Sequence, residues 1–211
     1  MIKLYDYELS GNCFKVRWLL NILGIEYESV MVEFYPGKEH KSDWFIEINP
    51  LGQLPVIEDD EFRLRDAQAI LVYLARKYDS TQKWYPINAP EQIGEITQWL
   101  SFADSLTATA SATRLNKTFF YEFNLAECQA GAHKLLRILD EHLWFQEKKK
   151  WDWLCAFEHP SIADIACFPY IALCEEGGIS RQEYPAVRRW LGRVKRIPGF
   201  IVMPGIFPVG T

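Results

Sequence analysis

The stretch that decides the fold runs from residue 49 to residue 70 and reads NPLGQLPVIEDDEFRLRDAQAI. Its first four residues favour a turn, because Asn, Pro and Gly are typical turn formers. Leu54–Glu58 predicts a β-strand, and the Asp-Asp pair that follows predicts a hairpin turn before a short strand at Phe62–Leu64. A helix is expected to start at Asp66, because apolar residues then recur at helical spacing. The stretch therefore predicts a ββα unit.

The residues before this stretch predict a βαβ unit. Ile2–Tyr7 is a β-prone run, after which apolar residues take helical spacing up to Leu23. Gly24 is typical of the position just past a helix C-terminus, and Tyr27–Val32 predicts a second strand. The N-terminal half is therefore expected to be an α/β unit with the order βαβ-ββα.

The residues after it predict helices alone. Residues 79–90 are polar, contain two prolines and include Trp84 and Tyr85, a composition typical of a linker whose aromatic side chains dock on a domain. Four helical patterns follow, which are Ile93–Ser111, Leu125–Gln146, Ser161–Cys174 and Tyr184–Lys195. We predict an α/β domain at residues 1–79, a linker at residues 80–90 and an all-helical bundle domain at residues 91–211.

Composition excludes several classes of protein. The chain has 211 residues and a formal net charge of −5, so the clustered cations that bind nucleic-acid phosphates are not expected. No window approaches the roughly 18 uncharged apolar residues of a membrane span, and the first residues lack the apolar core of a secretory signal. Five cysteines without a C-x-x-C pair argue against a disulfide framework or a zinc site. We expect a soluble, cytoplasmic protein without a metal, a nucleic-acid partner or a membrane partner.

Several motifs are similar to those of the cytosolic glutathione transferases, in particular the bacterial type. Residues 49–56 resemble the family's turn and strand before its cis-proline, and Leu64–Ile70 resembles the start of the next helix. Gly37–Phe45 resembles a Theta-type loop, and the capping box at Ser161–Asp164 resembles that of the family's helical domain. The resemblance covers the whole chain. It implies a thioredoxin-like N-terminal domain, glutathione as co-substrate, a small hydrophobic electrophile as second substrate, and a homodimer.

The resemblance implies a backbone site for glutathione around residue 54. Leu54, between Gln53 and Pro55, is expected to pair with the cysteinyl part of the peptide as an added strand does. Pro55 is expected to be cis. An edge-strand or turn proline is the alternative for Pro55.

The resemblance also implies which residues bind the charged groups at the two ends of glutathione. The N–H of Ala67, at the start of a helix, is expected to bind the γ-glutamyl carboxylate, and Asp66 to pair with the γ-glutamyl ammonium or to act only as a helix cap. Ala67 replaces the family's usual Ser, so weaker glutathione binding is expected. His40 and Lys41 are cation candidates for the glycyl carboxylate, with a merely solvated loop as the alternative.

The expected site for the sulfur is Ser10-Gly11-Asn12-Cys13, because a thiolate there faces the free N–H groups of the first helix. Ser10 matches the serine of Theta and Zeta types, and with Asn12 it also resembles the Thr-Pro-Asn of Nu-type disulfide reductases. These two residues are the predicted catalytic residues, and an ordinary N-cap is the alternative for Ser10. A tyrosine type is disfavoured, because its register holds Asp6, with Tyr5 and Tyr7 on either side. Cys13 is the alternative, since it could form a mixed disulfide as a Beta-type cysteine does. Asn12 stands at that cysteine's register, however, so Cys13 is expected on a face of the helix.

The electrophile is expected to bind between the domains, on the helix that starts near Ile93. Four apolar residues of this helix are candidates either for the site or for the core, and these are Trp99, Phe102, Ala103 and Leu106. The leading hypothesis is a transferase that conjugates the glutathione thiolate to small hydrophobic electrophiles. The alternatives are a glutathione-dependent disulfide reductase and a non-catalytic interaction module with the same fold.

Overall fold

A mixed four-stranded sheet forms the centre of the N-terminal half in the computed structural model, which describes residues 1–208. Its strands are β1 (Ile2–Asp6), β2 (Tyr27–Met31), β3 (Val56–Asp59) and β4 (Phe62–Arg65). They lie in the order β2-β1-β3-β4, with β1 parallel to β2 and antiparallel to β3, and with β4 antiparallel to β3. The sheet begins with Ile2 opposite both Tyr27 and Asp59. The predicted strand order along the chain is confirmed.

The strand boundaries differ from the prediction by one or two residues. β2 ends at Met31, and the N–H of Val32 still donates to the Asp6 carbonyl at 2.8 Å. β3 begins at Val56 and not at Leu54, because Pro55 has no N–H to donate to a strand ladder.

The helices of this half are α1 (Gly11–Ile22), α2 (Asp43–Ile48) and α3 (Ala67–Tyr78). The sequence did not predict α2, since six residues are too few for a helical pattern to stand out. α1 packs against α3, and the buried Leu4 and Ile57 of the sheet share one hydrophobic core with Phe14 of α1 and Ile70 of α3.

The second half is helical, as predicted. Its helices are α4 (Pro90–Leu106), α5 (Ala112–Phe119), α6 (Leu125–Lys148), α7 (Ile162–Ala172) and α8 (Pro185–Val194). The predicted helix from Ile93 to Ser111 starts earlier, because Pro90 fits the first turn of a helix. It continues through a π-helical turn at Thr107–Ser111 into α5. Residues 209–211 of the predicted helical half lie outside the described residues.

The two halves share a core. Phe14 and Trp18 of α1 contact Phe168 of α7, with ring centroids 6.3 and 5.6 Å apart. Trp84 of the predicted linker is buried, and its carbonyl accepts a hydrogen bond from the Ile162 N–H at 3.1 Å. The linker aromatic therefore docks on the start of α7.

The predicted capping box of α7 is confirmed. Ser161 Oγ accepts from the Ala163 N–H at 3.2 Å, and the Ser161 N–H donates to Asp164 Oδ2 at 3.0 Å. The other oxygen of the buried Asp164 accepts from the Trp190 indole at 2.9 Å. A local cap therefore also fixes α8 against α7. Within residues 1–208, none of the helices is both long and apolar enough to span a bilayer.

Candidate active site

A cavity of about 600 Å³ opens between the two halves. All nine predicted site residues line it, and they are Ser10, Asn12, His40, Lys41, Gln53, Leu54, Pro55, Asp66 and Ala67. They come from four separate segments of the N-terminal half. The helical half supplies the opposite wall from the end of α4, the π-helical turn and α5.

The N-terminus of α1 forms one end of this cavity. Ser10 is the N-cap, and its Oγ accepts from the Cys13 N–H at 3.2 Å. The Ser10 hydroxyl keeps its own proton, so it can still donate toward the cavity. A Cβ on Gly11 would lie 2.7 Å from the Tyr170 ring, so this close approach of α1 to α7 requires glycine.

Cys13 lies on the buried face of α1, as predicted. Burial raises the pKa of its thiol to about 12, and the charge of Asp6 adds to the effect. A thiol this far from ionisation is a poor nucleophile at neutral pH. A mixed disulfide at Cys13 is therefore disfavoured.

Asp6 and Tyr7 lie where β1 ends, and their surroundings differ. Asp6 is buried and paired with Arg17 Nη1 at 2.5 Å, so it takes no part in the cavity. Tyr7, however, lines the cavity, and its hydroxyl donates to the Tyr35 carbonyl at 3.4 Å. Burial raises the pKa of Tyr7, which keeps the phenol protonated. The sequence alone disfavours this hydroxyl as a catalytic group, because Asp6 stands at the register of the family's tyrosine and Tyr7 follows it.

The segment around residue 54 is held by Asn49. The Asn49 amide donates to the Gln53 carbonyl at 2.7 Å, and its oxygen accepts from the Leu51 N–H at 3.1 Å. The peptide bond between Leu54 and Pro55 is cis, as the resemblance implied. Gly52 adopts a φ of +56°, and a Cβ there would lie 2.7 Å from the His40 carbonyl. Glycine is therefore needed where the turn meets the His40 loop.

Asp66 and Ala67 form the N-terminus of α3 beside the cavity. Asp66 is the N-cap, and its Oδ1 accepts from the Ala69 N–H at 2.9 Å. Ala67 is the first residue of the helix, so its N–H has no partner within the helix. The helix dipole and this free donor favour an anion at the same point.

His40 is not the cation that its position in the sequence suggested. It is 1% exposed and stacks on Phe34, with ring centroids 4.1 Å apart. Burial lowers the pKa of His40 to about 4, and the charges of Lys41 and Lys38 add to the effect, so the imidazole is neutral at pH 7. Lys41 supplies the positive charge here, with Nζ 3.3 Å from the Leu51 carbonyl.

The expected electrophile residues of α4 do not line the cavity. Trp99, Ala103 and Leu106 are buried, and Phe102 packs against the same core. The apolar stripe of α4 packs against α7, which leaves the neighbouring stripe to face the cavity. That stripe and its continuation consist of Asp104, Thr107, Ala108 and Ser111.

Aromatic rings from both halves of the chain line part of the cavity, and the sequence analysis did not predict them. Phe34 lies 5.7 Å from Tyr7 and 5.5 Å from Tyr121, measured between ring centroids. Phe119 completes the wall, 6.4 Å from Tyr7. These rings come from the end of β1, from the loop after β2, and from the end of α5 and the residues just after it, so no sequence pattern connects them.

Comparisons with known proteins match both halves of the chain. Residues 4–82 match the family model "Glutathione S-transferase, N-terminal domain", and residues 122–193 match "Glutathione S-transferase, C-terminal domain". Glutathione S-transferase hmp2 of Hypomyces subiculosus is 28% identical over 205 residues, which cover 90% of this chain and 91% of that protein. Glutathione S-transferase GstB of Escherichia coli (strain K12) is 28% identical over 206 residues, which cover 94% and 95%.

Solved structures agree. The crystal structure of a glutathione S-transferase from Xanthobacter autotrophicus Py2 superimposes with a TM-score of 0.84 at 28% identity, and the match covers 97% of this chain and 98% of that one. The α/β half, the helical half and the cavity between them define a two-domain transferase of the thioredoxin-like type. Since family models match both halves, the chain belongs to the glutathione S-transferase family. It is a glutathione transferase with glutathione as its co-substrate. The Theta-, Zeta- and Nu-like character of the Ser10 loop stays a prediction.

Proposed function

We propose that the protein conjugates the thiolate of glutathione to small hydrophobic electrophiles. The observation that carries this proposal is a single cavity lined by two unlike sets of residues. One set is the nine predicted glutathione residues, and the other is a group of aromatic rings from both halves of the chain. A peptide thiol and an apolar electrophile can therefore bind in the same cavity and meet at the sulfur.

Glutathione has one charged group at the glycyl end and two at the γ-glutamyl end, and each has a partner in the proposal. The γ-glutamyl carboxylate binds the free N–H of Ala67, and the γ-glutamyl ammonium binds the carboxylate of Asp66. The glycyl carboxylate pairs with Lys41, while His40 serves as a neutral hydrogen-bond donor. The cysteinyl backbone pairs with Leu54, between Gln53 and the cis-Pro55.

The thiol then lies at the N-terminus of α1, near Ser10 and Asn12. A thiol with a pKa of about 8.5 is only about 3% ionised at pH 7, and lowering that pKa by two units gives about 75% thiolate. A charge-assisted hydrogen bond together with a helix N-terminus is sufficient for this change. The thiolate sulfur forms a bond to the electrophilic carbon, and the leaving group departs with its electron pair.

Two assays with glutathione test the proposal, one against a chromogenic aryl halide and one against a small disulfide. We expect turnover of the aryl halide well above the uncatalysed rate. Asn12 at the cavity favours a second candidate, a glutathione-dependent disulfide reductase, for which the disulfide assay would give the larger rate enhancement. Background rates in both assays, with no glutathione binding by calorimetry, would leave only a non-catalytic interaction module.

The same proposal includes three further expectations, which concern the domain boundaries, the location in the cell and the oligomeric state. The domain boundaries at residues 79 and 91 are supported by the end of α3 at Tyr78 and the start of α4 at Pro90. A cytoplasmic location is supported by five cysteines that are all free. A homodimer is expected from the family resemblance.

A further inference from the structure

Lys15 is a buried cation that the function described so far does not use. It lies on α1 and is 0% exposed, and within residues 1–208 no carboxylate oxygen lies within 4.0 Å of its Nζ. Its Nζ lies 2.7 Å from Asn12 Oδ1, 3.4 Å from Gln68 Oε1 and 5.2 Å from the centre of the Tyr170 ring. Burying an ammonium with only neutral partners is costly, so this arrangement needs a reason beyond packing.

The reason lies in what each partner can donate. An ammonium donates hydrogen bonds and accepts none, whereas a side-chain amide has one accepting end and one donating end. Lys15 therefore forces the oxygen of Asn12 to point inward, which leaves the amide NH₂ as the end available to the cavity. Gln68 is constrained in the same way, since its oxygen accepts from Lys15 while its nitrogen donates to the Asp104 carboxylate.

A donor facing the cavity is what a thiolate needs. If the Asn12 amide were reversed, its oxygen would face the sulfur and would favour the neutral thiol. The side chain itself does not choose between these orientations, because the two ends of an amide have nearly the same shape. The Lys15 ammonium sets the orientation of the Asn12 amide, because it can only donate to the amide oxygen. Its positive charge also polarises the amide.

We propose that Lys15 is a positioning residue that holds the Asn12 amide with its NH₂ toward the sulfur of glutathione. This inference rests on the proposed function. Lys15 acts through Asn12 and does not itself reach the substrate.

The charge state of Lys15 depends on several elements. Burial lowers the pKa of Lys15 to about 8, and the carboxylates of Asp104 on α4 and Asp66 before α3 oppose that effect. Tyr170 of α7 faces the ammonium with its ring. Lys15 is therefore mainly protonated at pH 7, and a thiolate in the cavity favours the protonated form further.

The test measures the pKa of the bound thiol by ultraviolet titration of the glutathione complex. Lys15→Met removes the donor while keeping a long apolar side chain, and we expect the bound thiol's pKa to rise by about one unit. That rise would lower the thiolate fraction at pH 7 from about 75% to about 24%, roughly a threefold loss. Lys15→Gln is the second variant if the Met variant does not fold. Gln both donates and accepts, so it no longer dictates the Asn12 orientation, and the same direction of change is expected. Lys134→Met is the matched control for charge, because Lys134 lies on the exposed face of α6. It should leave the pKa of the bound thiol unchanged.

A double-variant cycle separates positioning from a purely structural role. If Lys15 acts through Asn12, then Lys15→Met in an Asn12→Ala background should add no more than a third of its single-variant shift. An additive shift, or a loss of melting temperature with an unchanged thiol pKa in Lys15→Met, would overturn the proposal. Failure of the proposed function looks different, because the parent protein itself would then turn over the aryl halide no faster than the uncatalysed reaction.

Discussion

Arg114 Nη1 donates a hydrogen bond to the Leu9 carbonyl at 2.8 Å, which joins the helical half to the loop that carries Ser10. The same guanidinium pairs with Glu176 through Nε and lies over the Phe119 ring. Arg114 is almost fully buried. Arg114 thus fixes the position of the loop that carries Ser10 relative to the Phe119 ring.

Arg114→Met should therefore destabilise the protein and also reduce turnover. It leaves the Leu9 carbonyl and the Glu176 carboxylate without a partner, and we expect a loss of about 1–3 kcal/mol in the free energy of unfolding. Denaturant titration measures this loss. Arg63→Met is the control, since the Arg63–Glu58 pair is exposed and such pairs contribute about 1 kcal/mol or less. Equal losses in the two variants would contradict the assigned role of Arg114.

Ser10→Ala should separate the two roles of this hydroxyl. If Ser10 donates to the thiolate, the pKa of the bound thiol should rise by one to two units, which corresponds to roughly 1.4 to 2.7 kcal/mol. Loss of the N-cap should cost about 1 kcal/mol of stability in addition. Ultraviolet titration and chemical unfolding measure the two effects independently.

Three companion variants show which group acts on the sulfur. Asn12→Ala should affect disulfide reduction more than Ser10→Ala does if the chemistry is Nu-like. Tyr7→Phe should leave the pKa of the bound thiol unchanged. A larger rise of that pKa in Tyr7→Phe than in Ser10→Ala would mean that the Tyr7 hydroxyl binds the sulfur. Cys13→Ala should change turnover little, because this thiol is buried and protonated. A large loss of activity in Cys13→Ala, with a mixed disulfide found by mass spectrometry, would reverse the assignment.

Ala67→Ser should tighten glutathione binding. The added hydroxyl lies at the first residue of α3, where it can donate to the γ-glutamyl carboxylate beside the free N–H. Recovering about 1.4 kcal/mol would lower Kd about tenfold. Calorimetry on both proteins measures the change, and an unchanged or weaker affinity would mean that residue 67 does not face that carboxylate.

His40 should make folding stability depend on pH. Its pKa is 6.5 in the unfolded chain and about 4 in the folded protein, so protonation opposes folding. The stabilising contribution is complete above pH 6.5 and is lost as the pH falls through 6.5 toward 4, by about 3 kcal/mol in total.

His40→Phe tests this pH dependence, because it keeps a ring against Phe34 and removes the titrating group. The unfolding free energies of the two proteins should diverge as the pH falls from 6.5 to 4, with the Phe variant retaining more of its stability. Parallel curves over that range would show that His40 is protonated without cost in the folded state.

Sedimentation should find a homodimer, with a mass near twice the 24.6 kDa of one chain. The family resemblance implies a dimer seam near Trp99–Leu106, but Trp99, Ala103 and Leu106 are buried within the single chain. Any contact in this part of α4 must therefore use its outer residues. A single species near 24.6 kDa at micromolar concentration would rule out the dimer.

The sequence alone determined the features that depend on neighbours a few positions apart. The Ser161–Asp164 cap, the N-cap at Asp66 and the hairpin before β4 each result from residues within one turn or one loop. The nine candidate site residues were also found from the sequence, because the family's motifs are short and continuous.

Only the tertiary structure decided how those segments act together. His40 is neutral because Phe34 and the surrounding fold bury it, and the apolar stripe of α4 faces α7 and not the cavity. Lys15 meets Gln68 across 53 positions, and Arg114 meets Leu9 across 105. Local patterns report whether a side chain is apolar or polar, but the partner that sets its charge and orientation is brought to it by folding.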